Sequence, residues 1–67
     1  MTELEEKIEA LIDGGTVYDV IEAVQTVCSL KAEHIRENWQ DEKNAKVWDK
    51  AATVLSRTLQ NDYIRLL

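Results

Sequence analysis

His34 and Cys28 are the only histidine and the only cysteine of the chain. A metal site or an active site needs several such groups to converge, or a nucleophile beside a second titratable group. The spacing for a Glu-x-x-His ligand pair fails because position 31 is lysine, although Glu37 lies about one turn after His34. We therefore expect no catalysis, no cofactor and no metal, with His34 at a boundary or interface. A metal protein or enzyme that uses His34, Glu37 and nearby carboxylates is the alternative.

Cys28 lies in the centre of an apolar stripe, where a free cysteine behaves as a small hydrophobic residue. A single cysteine cannot form an internal disulfide, and the chain shows no signal peptide and no long apolar run. These features favour a cytoplasmic protein without a membrane span.

The helix breakers are few, because the chain has no proline and its only two glycines are Gly14 and Gly15. The pair Thr2 and Glu5 has the spacing of a capping box, which predicts a short helix over residues 3–13. Thr16 can cap a second helix, which we place at about residues 16–38.

The turn to the third helix falls in the polar run from residue 38 to residue 44. Either Asn38 or Asp41 could cap the third helix, which we place at about residues 42–65. The fold class expected is all-α, with a short N-terminal helix and an antiparallel hairpin of two long helices. The whole chain, residues 1–67, is expected to form one domain.

The apolar positions cover half or more of the second helix, which is typical of a helix packed on two sides. They are Val17, Val20, Ile21, Ala23, Val24, Val27, Cys28, Leu30, Ile35 and Trp39. On the third helix, Val47 and Val54 lie away from the main apolar stripe, so both would face water in a lone hairpin.

The first helix is about half as long as the other two, so it can cover only half of the apolar groove. We therefore favour a homodimer in which two hairpins form a four-helix core. A monomeric three-helix bundle is one alternative, and a hairpin that awaits a different protein partner is another.

Charge is distributed unevenly along the chain. Residues 1–22 carry seven acids against one lysine, a net charge of −6, and the remaining residues sum to about +1. The third helix carries one basic stripe, formed by Lys43, Lys46, Lys50 and Arg57. We interpret it as a solvated face on which Lys46 pairs with Glu42 and Asp49. The alternative function is a nucleic-acid-binding dimer that uses this stripe.

The aromatic residues form two predicted pairs, Trp39 with Trp48 at the turn and Tyr18 with Tyr63 at the other end of the hairpin. Each pair could clamp the hairpin. Large aromatics near an exposed end are also enriched at interface hot spots. The sequence therefore predicts a small acidic interaction protein, an adaptor, inhibitor or regulator, whose partner contacts are Trp39, Val47, Trp48 and Val54.

Overall fold

The computed structural model describes residues 1–67 and confirms an all-helical fold with two long helices packed together. The chain forms α1 (Glu3–Asp13), α2 (Val17–Trp39), α3 (Glu42–Leu59) and α4 (Asp62–Leu66). The main contact is between α2 and α3, and α4 lies against both of them. By contrast, α1 lies against α2 alone, and no Cα atom of α1 comes within 8 Å of one in α3.

Side-chain caps define the helix ends. The Thr2 hydroxyl accepts a hydrogen bond from the Glu5 amide at 3.1 Å, and the Glu5 carboxylate accepts one from the Thr2 amide at 2.8 Å. Hydrogen bonding of the Glu5 carboxylate to Thr2, mainly to the Thr2 backbone amide, lowers the pKa of Glu5. Thr16 caps α2 by accepting from the Asp19 amide at 3.0 Å. The caps that the sequence predicts at the starts of α1 and α2 are therefore both formed.

The turn between the long helices needs only two residues. Gln40 ends α2 in the left-handed conformation with φ of 51°, and Asp41 caps α3 by accepting from the Asn44 amide at 3.0 Å. Of the two caps that the sequence offered, the structure uses Asp41 and not Asn38. The Asn38 side-chain amide instead donates to the carbonyl oxygen of His34 at 3.0 Å.

The third helix ends earlier than the expected residue 65. After Leu59 the chain makes a tighter turn, in which the Asn61 amide donates to the Thr58 carbonyl oxygen at 3.0 Å. The Asn61 side chain then accepts from the Tyr63 amide at 2.9 Å and begins α4. Asparagine favours such a cap because its side chain competes with the continuing helix for backbone amides. The Leu59 carbonyl oxygen, freed by the break, accepts from Arg65 Nε at 3.3 Å.

The core between α2 and α3 consists mainly of short side chains. Ala32 and Ala45 have no exposed surface, and the only other buried residues are Cys28, Ala52 and Leu59. Small residues at a helix contact allow the two backbones to approach closely. They bury little apolar area, however, so most large apolar side chains remain at least partly exposed. None of the helices combines the length and apolarity needed to cross a membrane.

Arg36 links the two long helices by ion pairs near the turn of the hairpin. Its Nε donates to Glu42 Oε2 at 2.7 Å, and its Nη2 donates to Glu42 Oε1 at 3.1 Å and to Asp49 Oδ2 at 2.8 Å. The two acids of α3 therefore pair with Arg36 across the hairpin, and the expected pairing of Lys46 with Glu42 and Asp49 is wrong. The fixed fork of a guanidinium suits bidentate contact with a carboxylate, which a lysine cannot provide.

We predict that Ala32→Leu destabilises the hairpin, because a larger side chain at this closed contact must push α2 and α3 apart. The expected loss in the free energy of unfolding is about 1–3 kcal/mol, measured by chemical denaturation. Thr26→Leu is the control, since it adds bulk to an exposed position of the same helix. Equal stability of the Ala32→Leu variant and the wild type would show that the helices do not meet closely at residue 32.

We also predict that the stabilisation of the fold by Arg36 depends on pH, since its hydrogen bonds hold the pKa of Glu42 below the ordinary value. A carboxylate with a lowered folded-state pKa stabilises the fold above its unfolded pKa, and this contribution is lost as the pH falls through the folded value. The Tm of Arg36→Met should therefore lie below that of the wild type at about pH 7, and the difference should shrink towards about pH 3. Arg57→Met, which removes an arginine that has no ion pair, should show no such trend. A Tm difference between Arg36→Met and the wild type that is independent of pH would contradict a stabilising ion pair between Arg36 and Glu42.

Candidate interaction surface

The main candidate surface is an open apolar groove of about 530 Å³, with nine of its ten lining residues hydrophobic. One wall is α1, the floor is α2 and the far edge is formed by α3. We call this surface the apolar groove, and its lining residues are Leu4, Ile8, Leu11, Asp19, Val20, Ala23, Val24, Val27, Cys28 and Trp48.

The α1 wall follows from the amphipathic pattern of that helix. Leu4, Ile8 and Leu11 recur at spacings of four and three residues, so they share one face. In a closed three-helix bundle this face would be buried, but here Leu4 is 66% exposed and Leu11 is 62% exposed. Because no Cα atom of α1 comes within 8 Å of one in α3, α1 forms one side of the groove and leaves it open.

The floor of the groove uses the part of α2 that turns away from α3. Val24 and Val27 are 47% and 51% exposed, whereas Cys28, at the edge nearest α3, is buried. The burial of Cys28 agrees with its expected role as a small hydrophobic residue. The breadth of the apolar surface of α2 is thus divided between two faces, one towards α3 and one towards the open groove.

Trp48 forms the α3 edge of the groove and is partly buried. Lys31 Nζ lies 5.3 Å from the centroid of its ring, an arrangement in which a cation is attracted by the face of an indole. The periodicity of a single helix does not predict this contact, because Lys31 and Trp48 lie on different helices. Lys31 therefore places a positive charge beside Trp48, at the α3 edge of the groove.

The other predicted partner-contact residues lie outside the groove. Trp39 is 73% exposed at the turn and Tyr63 is 78% exposed on α4, so neither side chain clamps the hairpin. Val47 and Val54 are 61% and 57% exposed on the outward surface of α3. The structure thus brings Trp48 into the apolar groove and leaves Trp39, Val47 and Val54 on separate exposed positions.

The basic stripe is exposed and has no carboxylate partner. Within the chain the ion pairs are those of Lys7 with Glu3 and of Arg36 with Glu42 and Asp49. The stripe consists of Lys43, Lys46, Lys50 and Arg57. No charged nitrogen of these four side chains lies within 4 Å of a carboxylate oxygen. Their positive charge is therefore available to another molecule.

A second concavity lies between α2 and α3 and is mostly polar. Gln25 and Ser29 of α2 face a row of α3 side chains across it, and these are Asp49, Ala52, Thr53, Ser56, Arg57 and Gln60. All of the buried side-chain polar atoms of the protein have hydrogen-bond partners, so this cleft offers no unpaired buried group to a ligand.

His34 is exposed, and its Nδ1 lies 3.0 Å from the side-chain nitrogen of Asn38. No group of three or more His, Cys, Asp or Glu side chains is arranged to hold a metal ion. No family model matches the chain, and comparison with curated proteins and with solved structures gives no match either.

Proposed function

We propose that this protein is a small, non-enzymatic interaction module whose binding surface is the apolar groove. The observation that supports this proposal most strongly is the row of partly exposed valines and leucines that two different helices direct towards one open concavity. Contiguous apolar surface of this kind on a small domain marks an interface. Asp19 is the only ionisable carboxylate in its lining, which suits burial by another helix better than acid–base chemistry.

We further propose that the first occupant of the groove is a second copy of the chain. The protein has an accessible surface of 5372 Å² for a mass of 7.7 kDa. A globular monomer of that mass exposes about 4,300 Å². The excess of about 1,000 Å² is close to the area of about 800 Å² that each partner buries in a stable interface of standard size. A dimer would therefore give each chain the burial that its own core lacks.

In this dimer, apolar burial in the groove provides the affinity and the charged helices provide orientation. Trp48 supplies a rigid aromatic edge, and Val47 and Val54 extend the apolar contact along α3. Trp39, exposed at the turn, is the best-placed aromatic anchor for a further protein partner. As a lone thiol at the groove, Cys28 suits a reducing compartment such as the cytoplasm.

We predict that Val24→Glu abolishes self-association without unfolding the protomer, since Val24 is already 47% exposed. A carboxylate buried in an apolar contact should weaken the dimer at least about tenfold. Sedimentation velocity over a concentration series should give a mass of two chains for the wild type and of one chain for the variant, with equal helix content by circular dichroism. Thr26→Glu adds the same charge at an exposed position outside the groove and should remain dimeric. A wild type that stays at the mass of one chain at high micromolar concentration would contradict the proposal.

A nucleic-acid-binding dimer is the second candidate, and the unpaired basic stripe on α3 favours it. Two features weigh against it, namely the net charge of −5 and the absence of an aromatic side chain among the stripe cations for base stacking. We expect the fluorescence anisotropy of a labelled oligonucleotide to show no binding at physiological salt. Binding that weakens steeply with salt and is lost in Lys43→Glu/Lys46→Glu/Lys50→Glu would support the nucleic-acid function instead.

A further inference from the structure

The three longest helices form a layer with α2 in the middle. Cα atoms of both α1 and α3 come within 8 Å of α2, whereas none of α1 comes within 8 Å of one in α3. The protomer measures 38 × 28 × 16 Å, so it is flattened in cross-section. A single layer of helices has two broad faces, and a domain buries an apolar face of this kind by stacking a second layer on it.

The two faces of this layer differ in polarity. The apolar groove occupies one face, where α2 contributes Val20 and Val27. The mostly polar cleft occupies the other face, where α2 contributes Gln25 and Ser29. With about 3.6 residues per turn, the two valines lie about 140–180° around α2 from the two polar residues. The groove face is therefore the one that a second layer can cover with apolar contacts.

The middle of the groove face is a row of valines along α2, which we call the valine seam. Val20, Val24 and Val27 have the positions i, i+4 and i+7, the spacing at which one helix packs along another. Val24 and Val27 are both exposed, so the seam is open to a partner. Lys31 and His34 take the next two positions of the same spacing, so the apolar part of the seam ends at Val27.

Lys31 distinguishes between the two ways in which a pair of valine seams can face each other. If the α2 helices ran parallel about a twofold axis, Lys31 would lie opposite Lys31 of the second copy, and the repulsion between the two cations would oppose the contact. If the helices run antiparallel about Val24, the two lysines are about 21 Å apart along the helix. That separation is about twice the distance over which charges interact at about 0.1 M salt. Antiparallel helices also bring opposite ends of their dipoles together.

We propose that two copies stack groove to groove with their α2 helices antiparallel and with the twofold axis beside Val24, the middle valine of the seam. This inference rests on the proposed function, because it fixes how the second copy occupies the apolar groove. The axis crosses α2 within the plane of the layer, so the apolar face of α1 lies over α1 of the second copy. The acids Glu6, Glu9 and Asp13 lie on the opposite side of α1 and remain in water. A twofold axis makes each contact twice and closes the assembly at two chains.

Distances between spin labels on α2 test the antiparallel orientation. Glu37→Cys and Thr26→Cys each place one label on an exposed position outside the groove, in a Cys28→Ala background that removes the native thiol. Glu37 is far from the axis, so its two labels should lie about 40 Å apart in the antiparallel dimer. Thr26 is close to the axis, so the distance between its labels should be about 20 Å shorter. Pulsed electron paramagnetic resonance measures both distances.

Disulfide trapping tests the position of the axis. In the same background, Val24→Cys should form a covalent dimer when oxidised glutathione is the oxidant. Two residues beside a twofold axis come within the Cα separation of about 7 Å that a disulfide can bridge. His34→Cys is the matched control on the same seam, and it leaves Lys31 in place. It should run as a single chain on a denaturing gel, because its two copies are about 30 Å apart in the antiparallel dimer.

The outcomes separate this inference from the proposed function. A dimer in which the Glu37 and Thr26 labels give equal distances, or in which His34→Cys is trapped as readily as Val24→Cys, would overturn the antiparallel orientation while leaving self-association intact. The predicted label distances without trapping of Val24→Cys would overturn the position of the axis. A wild type that sediments as one chain under the same conditions would overturn the proposed dimer itself.

Discussion

The close contact of α2 with α3 through small side chains is the constraint on which the rest of the structure depends. Ala32 and Ala45 are fully buried in the half of the hairpin near its turn, and Arg36 binds acids of the facing helix at the same end. A contact formed by alanines brings two helices together but removes little apolar surface from water. The larger apolar side chains of both helices are consequently distributed around this contact instead of within it.

This constraint explains why the protomer is open. A chain of 67 residues is near the size at which one core only just outweighs the entropy lost on folding. Here the five buried residues include only one large aliphatic side chain, Leu59. The short α1 adds its apolar face to one wall of a groove and cannot close it, because it lies against α2 alone. Burial between chains is the simplest way for such a fold to gain stability, and the same surface then serves recognition.

The sequence predicted most of the secondary structure because its signals are local. Thr2, Thr16 and Asp41 cap helices through side-chain contacts that span three residues. The end of α3 was missed because no glycine or proline marks it, and only the cap formed by Asn61 divides the expected helix. The pairing of Arg36 was missed for a different reason, since it joins residues on two helices and depends on their relative rotation.

The candidate site was predictable only in outline. The excess of apolar positions on α2 indicated an uncovered face, and the off-stripe positions of Val47 and Val54 indicated that they would be exposed. Nothing in the periodicity showed that Trp48 would lie on the groove while Trp39 would not. That difference depends on how α1 and α3 are placed around α2, which is a tertiary property.

The central claim is that the apolar groove is filled by a second copy of the chain. Isotope-filtered nuclear Overhauser spectroscopy on a mixture of labelled and unlabelled chains tests it most directly, because it detects only contacts between chains. The account predicts intermolecular cross-peaks to the methyl groups of the groove residues Leu4, Leu11, Val24 or Val27. A complete set of resonances with no intermolecular cross-peak to these methyl groups would contradict it.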